Sequence, residues 1–174
     1  LEGREMHGGA LPDVYGGFGT SLRFYGVDFS IGFTYQLGGQ VLDQGYRFYM
    51  NSPAGTSTGN NYHHDLLTSW TPENSGSNIP RFAYNDSNQA AVSDRFLTSA
   101  SYLNIQNITL GYTLPKRITR KFLVENLRIY LACDNVWYWS KRQGLDPRQS
   151  INGITNPYYY APIRTFSGGV TVTF

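Results

Sequence analysis

Eleven consecutive residues, Val27 to Leu37 (VDFSIGFTYQL), alternate without a break. Val27, Phe29, Ile31, Phe33, Tyr35 and Leu37 fall on one side, and Asp28, Ser30, Gly32, Thr34 and Gln36 on the other. A period of two marks a β-strand with unlike faces. About 9–11 residues is the length a tilted strand needs to cross a bilayer. The preceding segment, 15–24, alternates more loosely, with Phe18, Thr20, Leu22 and Phe24 against Gly17, Gly19, Ser21 and Arg23. Tyr25-Gly26 between the two is a tight-turn signal, so a hairpin is expected.

Three further segments carry the same pattern. The second strand is expected to continue as a ribbon, spanning 27–49. A third covers 102–114, where Ile108, Leu110 and Tyr112 share one parity and Leu103 and Ile105 the other, so a bulge is expected near Gln106-Asn107. A fourth spans 126–139, with Leu127, Ile129, Leu131 and Cys133 on one face, and it ends in an aromatic cluster, Trp137-Tyr138-Trp139. The fifth, 164–174, places Phe166, Gly168, Val170, Val172 and Phe174 together. Connections alternate between short (25–26 and 115–125) and long (51–99 and 141–162). Transmembrane barrels show that asymmetry, with short periplasmic turns and long extracellular loops. On this reading residues 1–11 begin on the extracellular side.

Composition agrees. Only 15% of residues are charged, while 14 Tyr and 10 Phe bring the aromatics to 16%. Low charge with abundant Tyr and Gly fits apolar residues interleaved with small polar ones. No apolar run is long enough for a transmembrane helix. A net charge of +2, without a basic stripe, gives no reason to expect a nucleic-acid partner. The single cysteine, Cys133, rules out an intrachain disulfide and is expected to face lipid. The chain starts at Leu1 with neither Met nor signal peptide, and so reads as a piece of a longer one.

The stretches "LPDVYGGFGTSLRFYGVDFSIGFTYQLGG", "SWTPENSGSNIPR", "DRFLTSASYLNIQNITLGYTLPK", "NLRIYLACDNVWYWSKRQGLDPR" and "YYYAPIRTFSGGVTVTF" resemble the C-terminal end of SusC/RagA-like TonB-dependent outer-membrane transporters of Bacteroidetes. The resemblance covers nearly the whole chain. It implies an all-β fold, a transmembrane antiparallel β-barrel, of which this chain would supply the last five strands. Barrels of this class have about 22 strands and a plugged lumen. The plug domain and the TonB box are not in this segment. The resemblance further implies import of glycans or peptides across the cell outer membrane. Its implied partners are the rest of the transporter chain, a SusD-like surface lipoprotein acting as a lid, the TonB complex, the barrel-assembly machinery and outer-membrane lipid. The competing expectation is a soluble β-rich carbohydrate-binding or hydrolytic domain.

Candidate residues follow from both readings. Tyr158, Tyr159 and Tyr160 lie in an expected outer loop, and tyrosine joins a sugar-stacking face to a hydroxyl. They are expected to touch lid or substrate. Trp70 and Arg81 bracket the loop stretch most like the family and are assigned the same role. Phe174, with Val172 and Val170, looks like the terminal signal that barrel assembly reads. Asp28, Asp134, Arg23, Arg128 and Arg164 are placed on the lumen face, as wall charges opposite a plug rather than substrate ligands. Trp137–Trp139 reads as an interfacial girdle. His63-His64 with Asp65 invites a metal, but neighbouring side chains are expected to point apart. No metal, cofactor or catalytic constellation is therefore expected, and the chain does not read as an enzyme.

Overall fold

The computed structural model describes the chain except for residues 1–4, 6, 53–60, 87, 143, 150 and 157. Expectations attached to Leu1 and to the tip of the first long loop therefore lie outside the described residues. At Tyr25 and Gly26, φ is 46° and 86°. Positive φ at both central positions matches the right-handed twist of a hairpin. Strand β1 (Val14–Phe24) thereby folds onto β2 (Val27–Leu37), pairing Phe24 with Val27 and Val14 with Leu37. Gly26 has no room for a side chain, because a Cβ would lie 2.6 Å from the Thr113 carbonyl.

β2 stops at Leu37 and does not continue to residue 49. Gly38 and Gly39 follow with φ of 82° and 74°, a left-handed pair that turns the chain off the sheet. The residues beyond belong to other elements. They are β3 (Gln40–Leu42), which pairs with β4 (Leu97–Ser99), and helix α1 (Gln44–Tyr49), capped by the Asp43 carboxylate. The chain re-enters the main sheet as β5 (Tyr102–Thr113) and passes through the short helix α2 (Lys116–Thr119). It then returns as β6 (Asn126–Ser140) and, after the second loop, as β7 (Thr165–Thr173). The order β1-β2-β5-β6-β7 is an antiparallel meander, open at both edges.

Register fixes the two faces. Phe29 stands opposite Leu110, Leu110 opposite Leu131, and Leu131 opposite Gly168. Ile31, Ile108, Cys133 and Phe166 form the next row, and Tyr112, Ile129 and Val170 a further one. The parity conflict in the third strand is resolved by an irregularity between Ile105 and Asn107, which returns Ile105 and Leu103 to the apolar face. Phe18 stacks on Phe33 across β1 and β2 at 4.8 Å. Arg164 departs from its lumen assignment. It precedes β7 with the parity of Phe166, and its guanidinium lies 5.8 Å from the Trp137 ring, beside the apolar rows.

The opposite face is polar. Asp28 pairs with Arg128 across the intervening β5, and Gly111 lies beneath the pair. A Cβ at Gly111 would come within 2.5 Å of both side chains. Tyr130 similarly covers Gly169, where a Cβ would meet its ring at 2.6 Å.

Among the described residues, no apolar side chain of the five long strands is buried. The buried apolar residues are Val41, Leu42, Met50, Phe96, Ala100 and Leu145, all in the loops at one end of the sheet. Leu42, Met50 and Phe96 form one cluster, with Tyr46, Leu66, Ile79 and Leu97 packed against it. This loop cap has its own core. Among the described residues, no helix is long and apolar enough to cross a membrane.

Since Phe96 is fully buried in the cap, Phe96→Ala should cost the cap about 3–5 kcal/mol. Limited proteolysis of the protein carrying this segment should show faster cleavage within 51–99, with the five long strands still protected. Loss of protection in both together would contradict a separate core.

Candidate functional site

The two long loops are locked together by backbone as well as side chains. The Leu42 N–H donates to the Gly153 carbonyl at 2.6 Å, and the Thr155 N–H donates to the Leu42 carbonyl at 3.1 Å. The Thr155 hydroxyl accepts from the Gln44 N–H at 3.0 Å. Asp43 works in both directions. Its Oδ1 accepts the Tyr46 N–H at 2.8 Å and so caps α1, while Oδ2 lies 3.6 Å from Arg142 Nε in the second loop. The Arg142 guanidinium sits 4.0 Å over the Tyr46 ring. Burial, then the hydrogen bond to Asp65, push the Tyr46 phenol above its ordinary pKa.

Between the loops lies a groove of about 490 Å³, lined by Gln44, Arg47, Phe48, Ile154, Asn156 and Tyr158 among others. Arg47 is held by two bonds, Nε to the Ala90 carbonyl at 2.6 Å and Nη1 to Gln44 Oε1 at 2.9 Å. The groove therefore offers a fixed cation, amide groups and two aromatic rings. Such a mixture of apolar walls and few polar groups suits a small polar ligand or a peptide side chain.

Of the tyrosine triplet, Tyr158 borders this groove. Its N–H bonds Asn156 Oδ1 at 2.9 Å, and the Tyr159 N–H bonds the Asn156 carbonyl at 3.2 Å. All three rings are exposed, Tyr160 at 96%. Trp70 and Arg81 do not line the groove. The Trp70 N–H donates to the Ile79 carbonyl at 2.8 Å, closing a compact turn that the Ser77 hydroxyl ties to Thr68. Ile79 anchors this turn on the buried cluster, and Arg81 is exposed. At the far end of the sheet, Val170, Val172 and Phe174 are exposed, the first two on the apolar face.

His63, His64 and Asp65 do not point apart as expected. A 3-10 turn over His64–Thr68 winds them together, so the two imidazole rings lie 4.7 Å from one another. Asp43, Arg47 and Arg142 were missed at the sequence level. The capping pattern "LDQGYRF" was a readable helix-start signal, but pairing with Arg142 joins residues about a hundred positions apart.

No family model matches the chain. It is 25% identical over 181 residues to TonB-dependent receptor P3 of Formosa agariphila, covering 98% of this chain and 17% of that protein. It is 28% identical over 164 residues to TonB-dependent receptor SusC of Bacteroides thetaiotaomicron, covering 93% of this chain and 15% of SusC. The chain is similar to the C-terminal barrel segment of SusC/RagA-like TonB-dependent receptors. It spans about a sixth of the length of these receptors. The fold agrees. The RagAB peptide transporter superposes with a TM-score of 0.81 at 24% identity, over 97% of this chain and 18% of that one. The RagAB importer in its "open-open" state gives 0.77, also at 24%. Asp28 thus lies on a sheet similar to a sector of a SusC/RagA-like barrel wall, and Asp43 and the groove lie in the loops at one end of it.

The Asp43 contacts predict a local effect. Asp43→Ala removes an N-cap, which costs about 0.5–2 kcal/mol, and frees Arg142. Hydrogen exchange should rise in α1 and in residues 142–155 together, with β2 and β6 unchanged. A rise in α1 alone would show that the loops are not coupled through this residue.

Proposed function

We propose that this segment forms wall and outer loops of an outer-membrane importer of glycans or peptides, working with a SusD-like lipoprotein lid. The observation that carries this reading is the pairing of faces. Five strands of membrane-crossing length present a mostly apolar surface on one side, broken by Gly16, Thr20 and Gly168, and a polar face with small residues, Asp28, Arg128 and Tyr130 on the other. The apolar side fits lipid, and the polar side fits a lumen filled by a plug. A soluble carbohydrate-binding or hydrolytic domain would leave that surface in water, where large apolar patches drive association. The free edges of β1 and β7 would pair with further strands of the same chain, since an unpaired edge cannot stand in lipid. TonB would act through the plug.

Within this scheme the groove beside Tyr158 is the place where substrate or lid meets the loops. Tyr159 and Tyr160 extend that surface, and Trp70 and Arg81 shape its neighbouring turn. Phe174, with Val170 and Val172, is proposed as the signal read by the barrel-assembly machinery.

Paired substitutions test the faces. Leu131, 64% exposed and mid-strand on the apolar side, should cost about 2–4 kcal/mol when changed to Arg if it faces lipid. Thr171→Arg, on the polar side, should be tolerated. The measurement is urea unfolding of the receptor in liposomes; equal costs for both would refute the assignment of faces.

The loops are tested by replacing Tyr158, Tyr159 and Tyr160 with Ala together. Lid capture or uptake should fall severalfold at unchanged surface abundance. Normal lid capture, binding and uptake would leave the triplet as loop packing.

A further inference from the structure

We propose that His63, His64 and Asp65 form a divalent-metal site on the outer face of the loop cap, selective for a borderline ion such as Zn²⁺. The carboxylate lies between the two imidazoles. Asp65 Oδ2 is 3.3 Å from His63 Nδ1, and Oδ1 is 3.0 Å from His64 Nε2. One ligand atom from each residue falls within a cluster 4.8 Å across, the group of this kind found among the described residues.

His63 caps the turn and holds a ring nitrogen beside the carboxylate. Its Nδ1 accepts the Asp65 backbone N–H at 3.2 Å, so this nitrogen presents a lone pair. The same lone pair faces Asp65 Oδ2, itself electron-rich. One nitrogen cannot both accept from an N–H and donate to a carboxylate. A metal ion bound at Nδ1 would take the lone pair that accepts the Asp65 N–H, and the adjacent Asp65 carboxylate would supply a second donor.

Geometry and donor set narrow the ion. Zn–N and Zn–O distances near 2.0–2.1 Å place tetrahedral ligand atoms about 3.3 Å apart. His63 Nδ1 already lies at that spacing from Asp65 Oδ2. His64 Nε2, now 3.0 Å from the other oxygen, would reach the same ion by a rotation of its side chain, which is 82% exposed. Two imidazoles and one carboxylate suit Zn²⁺, Co²⁺ or Ni²⁺. Calcium requires about 6–8 oxygens and is not matched by this set. Three protein ligands leave a position for water or for a donor atom from outside.

The surroundings are those of a supported ligand set. The Tyr46 hydroxyl donates to Asp65 Oδ2 at 2.9 Å, and its ring meets His63 edge-on at 4.7 Å. A hydrogen bond of this kind orients a ligating carboxylate. Tyr46 belongs to α1 and carries Arg142 on its other face. Metal binding would therefore clasp the His63–Thr68 turn to α1, and through it to the second loop. The site stands apart from the groove beside Tyr158 and does not depend on what the barrel imports.

The test uses the receptor carrying this segment, purified in detergent with any affinity tag removed. It is titrated with Co²⁺, followed by visible absorption, and with Zn²⁺ by calorimetry. Wild type should bind one more equivalent than His64→Ala, a substitution at an exposed position that leaves folding intact. His7→Ala should match wild type. Tyr46→Phe should retain the site with affinity lowered about tenfold. Zn²⁺ should also slow proteolysis at 51–99 in wild type and not in His64→Ala. Equal stoichiometry in wild type and His64→Ala would overturn the site. Metal binding without protection of the loop would overturn the clasp.

Discussion

A strand cannot satisfy its own backbone. Each N–H and C=O of β1, β2, β5, β6 and β7 has to find a partner on a neighbouring strand, and in a membrane no water stands in for a missing one. Everything else in this segment follows from that lateral pairing. The Tyr25-Gly26 turn sets the register of β1 on β2, and the short α2 connection brings β6 beside β5. Among the described residues the outer edges of β1 and β7 have no partner, and the sheet matches a sector of the closed RagA barrel.

Pairing also dictates how the faces are filled. The apolar side is built from rows that cross the sheet, such as Phe29, Leu110 and Leu131. The polar side alternates bulk with absence. Gly111 leaves room for the Asp28–Arg128 pair, and Gly169 leaves room for the Tyr130 ring. The β5 irregularity between Ile105 and Asn107 keeps the two sides apart along the whole length. Without it, Ile105 and Leu103 would turn toward the polar face, because a shift of one residue inverts every side chain.

Hydrophobic burial in water operates at one end only. The cap gathers Leu42, Met50 and Phe96 into a core that owes nothing to the sheet. Its two loops share backbone hydrogen bonds between Leu42, Gly153 and Thr155, so they form one body. The groove beside Tyr158 and the His63–His64–Asp65 cluster both lie on this body. A rigid base is what allows loops to hold functional groups in place.

The strands and their faces were legible in the sequence because period-two alternation is a local property. Val27–Leu37 shows it without reference to any other residue, and the parity break in 102–114 already required a bulge. The extent of the second strand was not legible. Gly38-Gly39 is equally compatible with a bulge in a ribbon and with a turn, and contacts of β3 with β4, some sixty residues on, decided for the turn. The loop cap was opaque for the same reason, since Asp43 meets Arg142 and Leu42 meets Thr155 only after both loops have folded. At His63-His64-Asp65 the sequence supplied the three donors, but their convergence depends on a 3-10 turn. The residue types set which chemistry is possible, and tertiary structure alone set the distances between them.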